Sequence, residues 1–437
     1  MRLTDRRRLP LALTLALGCP LACGPELVSS DDEAETGSSE ESTTTEGGTA
    51  ESESSTEAGS TTEGGSTITG GMATDALDIL FVVDNSGTMG PLQAALAQNI
   101  DGLINPLDDA GVDWRVAVTT TDNGNPWCSP GQTTPEGGNF VYSGCPNRLT
   151  DFVFGADTDV SDPACLDLCT AENGQLATEG GVPWLERSNG ALNIELDDPS
   201  AALRCLLPQG INGCGFESPL ESMYLAMVRS FSQGEDNFGF LRQDASLLVI
   251  LVTDEADCSY NKDWSAIFDT DGNKVFWSDP NSPFPTSAVC WNAGVDCTGD
   301  PSQYDDCVAA NKDVDGNATG DSQAVLHPVS RYTQFLEGLA ADKQGGTVRV
   351  GLIAGVDTNG EPYYADVTST DPSFQDSFGI GPGCAAPSPL GGAEIVQAVP
   401  PVRMLEAQGS LSAGAYSACN FDGYDTALST MASLFVE

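Results

Sequence analysis

Residues 77–89 read LDILFVVDNSGTM. Apart from Asp78, the run Leu77 to Val83 is apolar, as a strand buried on both faces must be, and it stops abruptly at Asp84, Ser86 and Thr88. One carboxylate and two hydroxyls therefore fall within one tight turn. Hard divalent cations take oxygen ligands, and a small octahedral ion such as Mg2+ uses few carboxylates and keeps open or water-filled positions. A strand-end turn of this composition suits such an ion. The same residue types also make ordinary bends, so the turn alone leaves both readings open.

Two other segments extend the pattern. In SLLVILVTDEADCS, residues 246–259, a second buried-strand run ends in Thr253 and Asp254. In GCGFESPLESMYLAM, residues 213–227, Ser218 stands just before a helix-like pattern. Taken together, the three segments resemble the von Willebrand factor A (vWA) domain and its metal-ion-dependent adhesion site. The resemblance implies an α/β fold, a doubly wound and mostly parallel sheet, spanning roughly residues 75–437. It also implies a ligand set in which Asp84 anchors the ion, Ser86 and Thr88 coordinate through hydroxyls, Ser218 takes the place of the family's threonine, and Asp254 acts through water. Glu217, beside Ser218, is an alternative ligand. The implied cation is Mg2+ first, with Mn2+ or Ca2+ as alternatives, and the implied partner is a protein or other envelope or extracellular ligand that supplies a carboxylate as the final ligand.

Periodicity agrees with an α/β class. Apolar strand-like runs fall at 77–84, 112–120, 246–253 and 347–354, and helical patterns at about 90–104, 219–232, 326–342 and 424–436. Three stretches are surplus to such a scaffold, at about 121–200, 255–325 and 356–395, and each begins where a strand pattern ends. In open α/β sheets the carboxyl ends of parallel strands form the ligand-binding edge, so these insertions are expected to build a collar around Asp84 and Asp254.

The chain has 14 cysteines, and the insertions hold nine of the twelve that lie between Cys128 and Cys419. With an export signal, that usage predicts about six disulfides, and the pair flanking LLPQGING, Cys205 with Cys214, is the first candidate. Zinc is disfavoured by the absence of any CxxC pair and by a single histidine, His327. The segment NKDVDGNATGDS, residues 311–322, alternates oxygen donors as calcium loops do, making Asn311, Asp313, Asp315 and Asn317 candidate ligands of a second metal; a bare Asp-Gly turn explains it equally. The shorter DTDGN at 269–273 is a weaker instance, and Glu255 and Asp257, which follow Asp254, read as solvated loop residues first, with added negative charge around the metal as the alternative.

Arg2, Arg6, Arg7 and Arg8 precede the apolar segment Leu9 to Leu17 and then small residues, the pattern of a secretory signal over residues 1–23. The cysteine after the apolar stretch resembles the lipobox of bacterial lipoproteins. Cys23 leaves an even number of cysteines behind it and is favoured over Cys19 as the lipidated residue. That resemblance implies an exported protein of the bacterial cell envelope, lipid-anchored to the outer membrane and touching the membrane only through that anchor. Residues 24–74 are almost entirely Ser, Thr, Glu, Gly and Ala, a composition too poor in apolar surface to fold, and read as a tether. About 50 flexible residues span on the order of 40 Å.

A formal net charge of −47, with 17 basic against 64 acidic residues, excludes nucleic acid as a partner. There is no HExxH and no GxxxxGK[ST], and His327 precedes Pro328 at a helix start, so no nucleophile–histidine arrangement is indicated. Paired-carboxylate hydrolysis has no specific support among so many acids. The expectation is a binding module rather than an enzyme, with a structural envelope scaffold carrying a degenerate, metal-free domain as the alternative.

Overall fold

The computed structural model describes residues 74–128, 135–155, 158–366 and 372–436, so Cys19, Cys23, the signal segment and nearly all of the tether lie outside the described residues. The opening run forms β1 (Ala76–Val83), whose side chains alternate between two apolar layers. Leu77, Ile79, Phe81 and Val83 enter one core, and Leu80 and Val82 enter the other. Asp78 is fully buried and is held by Arg242, whose Nε and backbone N–H donate to its two oxygens at 2.8 and 2.7 Å.

Six more strands complete the sheet: β2 (Asp113–Thr120), β3 (Leu185–Ser188), β4 (Ala191–Leu192), β5 (Ser246–Val252), β6 (Val348–Ala354) and β7 (Ser412–Ser417). Their order is β7-β6-β5-β1-β2-β3-β4. The five strands from β7 to β2 run parallel and β3 and β4 are antiparallel, so the protein has a mixed α/β architecture with a mostly parallel central sheet.

Helices cover both faces. Against the first core lie α1 (Gly90–Gln98), α2 (Asp101–Ala110), α3 (Pro199–Leu206) and α9 (Tyr424–Ser433); against the second lie α4 (Pro219–Phe231), α6 (Val329–Asp342) and α8 (Val402–Gln408). Two short helices, α5 (Ala288–Gly294) and α7 (Pro372–Phe378), belong to the insertions. Among the described residues no helix is long and apolar enough to cross a membrane.

The four strand expectations fall within a residue of β1, β2, β5 and β6, but the helix expected at 90–104 is two. Asn99 caps α1: its backbone N–H makes the last helical bond, to the carbonyl of Ala95 at 3.1 Å, its side-chain amide donates to the same carbonyl at 2.9 Å, and its φ of −102° and ψ of 9° leave the helical range. The first insertion is also less separate than its sequence suggests, since β3 and β4 come from it and extend the sheet beyond β2.

Six disulfides join the twelve cysteines of the described residues. The expected Cys205–Cys214 bridge is not among them. Cys205 sits on α3 in the first core and bonds Cys169, whereas Cys214 packs in a separate apolar cluster and bonds Cys128. The intervening segment is not a surface turn: Leu206, Leu207 and Ile211 are buried and carry the chain from one core towards the other cluster. Peptide mapping of the unreduced protein should therefore recover Cys128–Cys214 and Cys169–Cys205 and no 205–214 link. Removing the Cys128–Cys214 bridge, which spans 86 positions, should cost about 4.6 kcal/mol on chain-entropy grounds, read as a lower unfolding midpoint in denaturant.

Candidate metal centre

The parallel ladders continue one residue past the strands, which places Thr121, Asp84 and Thr253 side by side at the carboxyl edge. The N–H of Asp84 donates to Val252 at 2.9 Å, and that of Thr121 to Val83 at 3.2 Å. Asp84 is fully buried; one oxygen accepts the N–H of Ser86 at 2.8 Å and the other accepts the hydroxyl of Thr253 at 2.6 Å. Its carbonyl accepts from Gln93 of α1 at 2.7 Å, and the same amide donates to Gly210 at 2.8 Å, fastening the first loop to the approach of the second. Gly213 lies against this loop so closely that a Cβ there would stand 2.1 Å from Asn85 Oδ1. The Ser86 hydroxyl is buried without a hydrogen bond, and Thr88 is exposed at the rim.

The second loop departs from the expected emphasis. Ser218 donates its hydroxyl to the carbonyl of Cys258 at 2.8 Å, tying the second loop to the third and leaving its lone pairs for a cation. Glu217 is fully buried: one carboxylate oxygen accepts from the Thr121 hydroxyl, and Oε1 has no hydrogen bond. In the third loop both oxygens of Asp254 and Oε2 of Glu255 are likewise buried without a hydrogen bond.

The solvated role expected for Glu255 and Asp257 is thus overturned, because both side chains are buried. Asp257 accepts from Arg403 Nε at 2.9 Å, from the Ser259 hydroxyl at 2.5 Å and from the N–H of Leu220 at 3.2 Å. Sequence reasoning had no signal for Arg403, which arrives from 146 positions away.

Burial raises the pKa of Asp84, Glu217, Asp254 and Glu255, and well above the usual carboxylate range for the last three, where the Asp84 charge adds a further upward push. Hydrogen bonds from Thr253 and Ser86 partly offset this at Asp84, and Thr88 favours the charged form of Asp254. Buried acceptors without donors, beside like charges, are costly in an apolar interior and are relieved by a cation. Among the described residues no three His, Cys, Asp or Glu side chains gather as a metal-binding group. The set at the first and third loops is of a different kind, two carboxylates with hydroxyls, and it fits an oxygen-preferring ion.

The candidate calcium loop is turned inward. Asp313 Oδ1 accepts the N–H groups of Asp315 and Asn317 at 3.0 and 2.9 Å, and these backbone bonds hold its pKa below the ordinary value. Asn311 donates its amide to Asp321 at 2.9 Å. At the 269–273 turn, Asp269 accepts the N–H of Asp271 at 3.0 Å in the same manner.

A cleft of about 240 Å3 opens at Thr88 and Asp254, walled by Phe374 and Phe378 of α7 and by Ile395 and Val396 of the strand Ile395–Ala398. The third insertion therefore flanks the centre, as a collar would. The Cys128–Cys214 and Cys258–Cys290 bridges fasten the second and third loops to the other insertions. Three larger depressions, of about 430, 390 and 370 Å3, share no residue with this site.

No protein-family model and no curated protein sequence matches the chain. Two crystal structures of the pilus adhesin SpaC from Lactobacillus rhamnosus GG, one in an open conformation, are similar to it at 12% and 13% identity with TM-scores of 0.29 and 0.31. The alignments cover 83% of this chain and 31% and 30% of theirs, so the chain spans about a third of the SpaC chains it matches.

Carboxylates whose folded pKa is raised bind more protons folded than unfolded, so stability falls as pH rises from the unfolded value, about 4, through the folded one. In chelator, the unfolding midpoint should accordingly rise on acidification from pH 8 to 5, by more than in an Asp254→Asn variant. Saturating Mg2+ should flatten that difference. Equal slopes in the two chelated proteins would show that the cluster carries no excess repulsion.

Proposed function

We propose that this chain is an exported recognition protein that binds a partner through a divalent cation at the carboxyl edge of its sheet. The observation that carries the reading is the set of buried oxygens without hydrogen bonds at the ends of β1 and β5: the Ser86 hydroxyl and both oxygens of Asp254, beside the fully buried Asp84. Asp84, Ser86, Thr88 and Asp254 would hold the ion, Mg2+ first, and the Ser218 oxygen would join them from the second loop.

A cation held largely by neutral hydroxyls keeps much of its positive charge and attracts a further anionic ligand. The partner in this reading bears an Asp or Glu whose carboxylate enters through the cleft at Thr88, where Phe374, Phe378, Ile395 and Val396 meet its neighbouring apolar groups.

The strand order, with helices on both faces, is compatible with the doubly wound sheet of a vWA domain, which we take as the fold in this proposal. The disulfides support an oxidising compartment, and with the lipobox-like Cys23 they lead us to a lipid-anchored envelope protein. A binding role rather than catalysis is favoured because, among the described residues, the His327 imidazole stands 3.9 Å from Glu221 and has no hydrogen-bonded nucleophile.

The thermal midpoint of the full oxidised chain in Mg2+, Mn2+, Ca2+ or chelator tests this, beside Asp84→Ala and Asp254→Asn. A ligand at 100 times its Kd adds about 2.7 kcal/mol, enough for a shift of several degrees. The native chain should show that shift and both variants should lose it. Absence of any response in the native chain would leave a metal-free structural scaffold as the better reading.

A further inference from the structure

We propose that the seam between residues 213–218 and 253–258 holds a second divalent cation, Ca2+, between the carboxylates of Glu217 and Glu255. This rests on the reading that Asp84, Ser86, Thr88 and Asp254 take the first. Glu217 Oε1 and Glu255 Oε2 each lie in the protein interior with no hydrogen bond, on side chains 0% and 6% exposed. Among the described residues neither glutamate forms an ion pair. The buried guanidinium of the third loop, that of Arg403, is committed to Asp257 through Nε and to the His327 carbonyl through its second amino group, at 2.9 and 2.6 Å.

A single ion does not account for the whole cluster. Asp84, Asp254, Glu217 and Glu255 together carry −4 when ionised, twice the charge of one divalent ion. Beyond the effect of burial, the Asp84 charge acts first on both glutamates, and Glu255 is also among the charges that repel Glu217, so the two glutamates lie within each other's field.

The backbone fixes them there. Cys258 donates its N–H to the Glu217 carbonyl at 2.6 Å, Ser218 donates its hydroxyl to the Cys258 carbonyl at 2.8 Å, and Ser287 donates to the Gly215 carbonyl at 2.8 Å. The Cys128–Cys214 and Cys258–Cys290 bridges anchor the same two loops covalently. Side chains that repel one another would ordinarily turn to solvent. Here the loops that carry them are clamped together.

The chemistry selects Ca2+. It accepts six to eight oxygens in irregular geometry, carboxylates mono- or bidentate and backbone carbonyls among them, whereas Mg2+ requires a near-ideal octahedron and retains several waters. A buried seam with carboxylates contributed by two loops suits the former.

Equilibrium dialysis of the full oxidised, metal-stripped chain against Ca2+ counts the sites. Two equivalents are expected for the native chain, falling to one in Glu217→Gln and in Glu255→Gln, with the Mg2+-dependent thermal shift of the Asp84 centre retained in both. Each glutamine keeps the size of the glutamate and removes its charge, and circular dichroism confirms the fold. One equivalent in the native chain, abolished by Asp84→Ala, would overturn the second site and leave the proposed function standing. No binding at all would overturn both. Two equivalents unaffected by either glutamine would reject this seam and point to the 311–317 loop instead.

Discussion

The hydrogen bond from Thr253 to Asp84, 2.6 Å long and fully buried, joins the ends of adjacent parallel strands, and the geometry of the carboxyl edge follows from it. A carboxylate at the end of β1 would ordinarily turn outward into water. Held by Thr253 on one oxygen and by the N–H of Ser86 on the other, it stays inside and fixes the curvature of the first loop. Ser86 is thereby carried inward and Thr88 outward, so one turn presents a buried and an exposed hydroxyl on the same side of the sheet.

That edge stays ordered because loops of distant origin are fastened to one another rather than to the sheet alone. Thr121 accepts the N–H of Ser218 and donates its hydroxyl to Glu217, Gln93 bridges Asp84 and Gly210, and Ser218 reaches Cys258. Disulfides from the insertions close on the same segments at Cys214 and Cys258. Loops that surround a binding edge are usually the mobile part of an α/β protein. In this chain the covalent cross-links restrict that freedom and hold the buried carboxylates in place.

What was legible in the sequence divides along the same lines. The four central strands and the positions of Asp84, Ser86, Thr88 and Asp254 could be read because an apolar run that ends in polar residues is a local signal. β7, SAGAYS, escaped notice because it is short and small-residue-rich, and it is held by pairing with β6 rather than by any apolar run of its own. The Cys169–Cys205 and Cys128–Cys214 pairs, and the burial of Glu217 and Glu255, depend on where separate loops meet in space. Proximity in sequence misled in the case of Cys205 and Cys214, since the residues between them run through the interior. A weak signal did exist for Glu217, an acidic residue beside the expected hydroxyl ligand.

The distribution of counter-charge gives the cluster its meaning. Eight carboxylate side chains are buried among the described residues. Four of them are compensated: Asp78 by Arg242, Asp257 by Arg403, Glu221 by Arg331 and the Tyr332 hydroxyl, and Asp122 by the N–H groups of Gly124 and Cys214. The other four, Asp84, Glu217, Asp254 and Glu255, have no ion-pair partner among those residues and all lie at the carboxyl edge; Asp84 is held by Ser86 and Thr253, and the remaining three each keep a buried oxygen without a hydrogen bond. A chain with 17 basic residues against 64 acidic ones has few cations to place, yet it places arginine on Asp257, three residues from Asp254. Scarcity of arginine therefore does not explain the uncompensated group. In the reading proposed above, a buried carboxylate cluster that the protein leaves without counter-charge, while neutralising its immediate neighbour Asp257, would be completed by cations from solution.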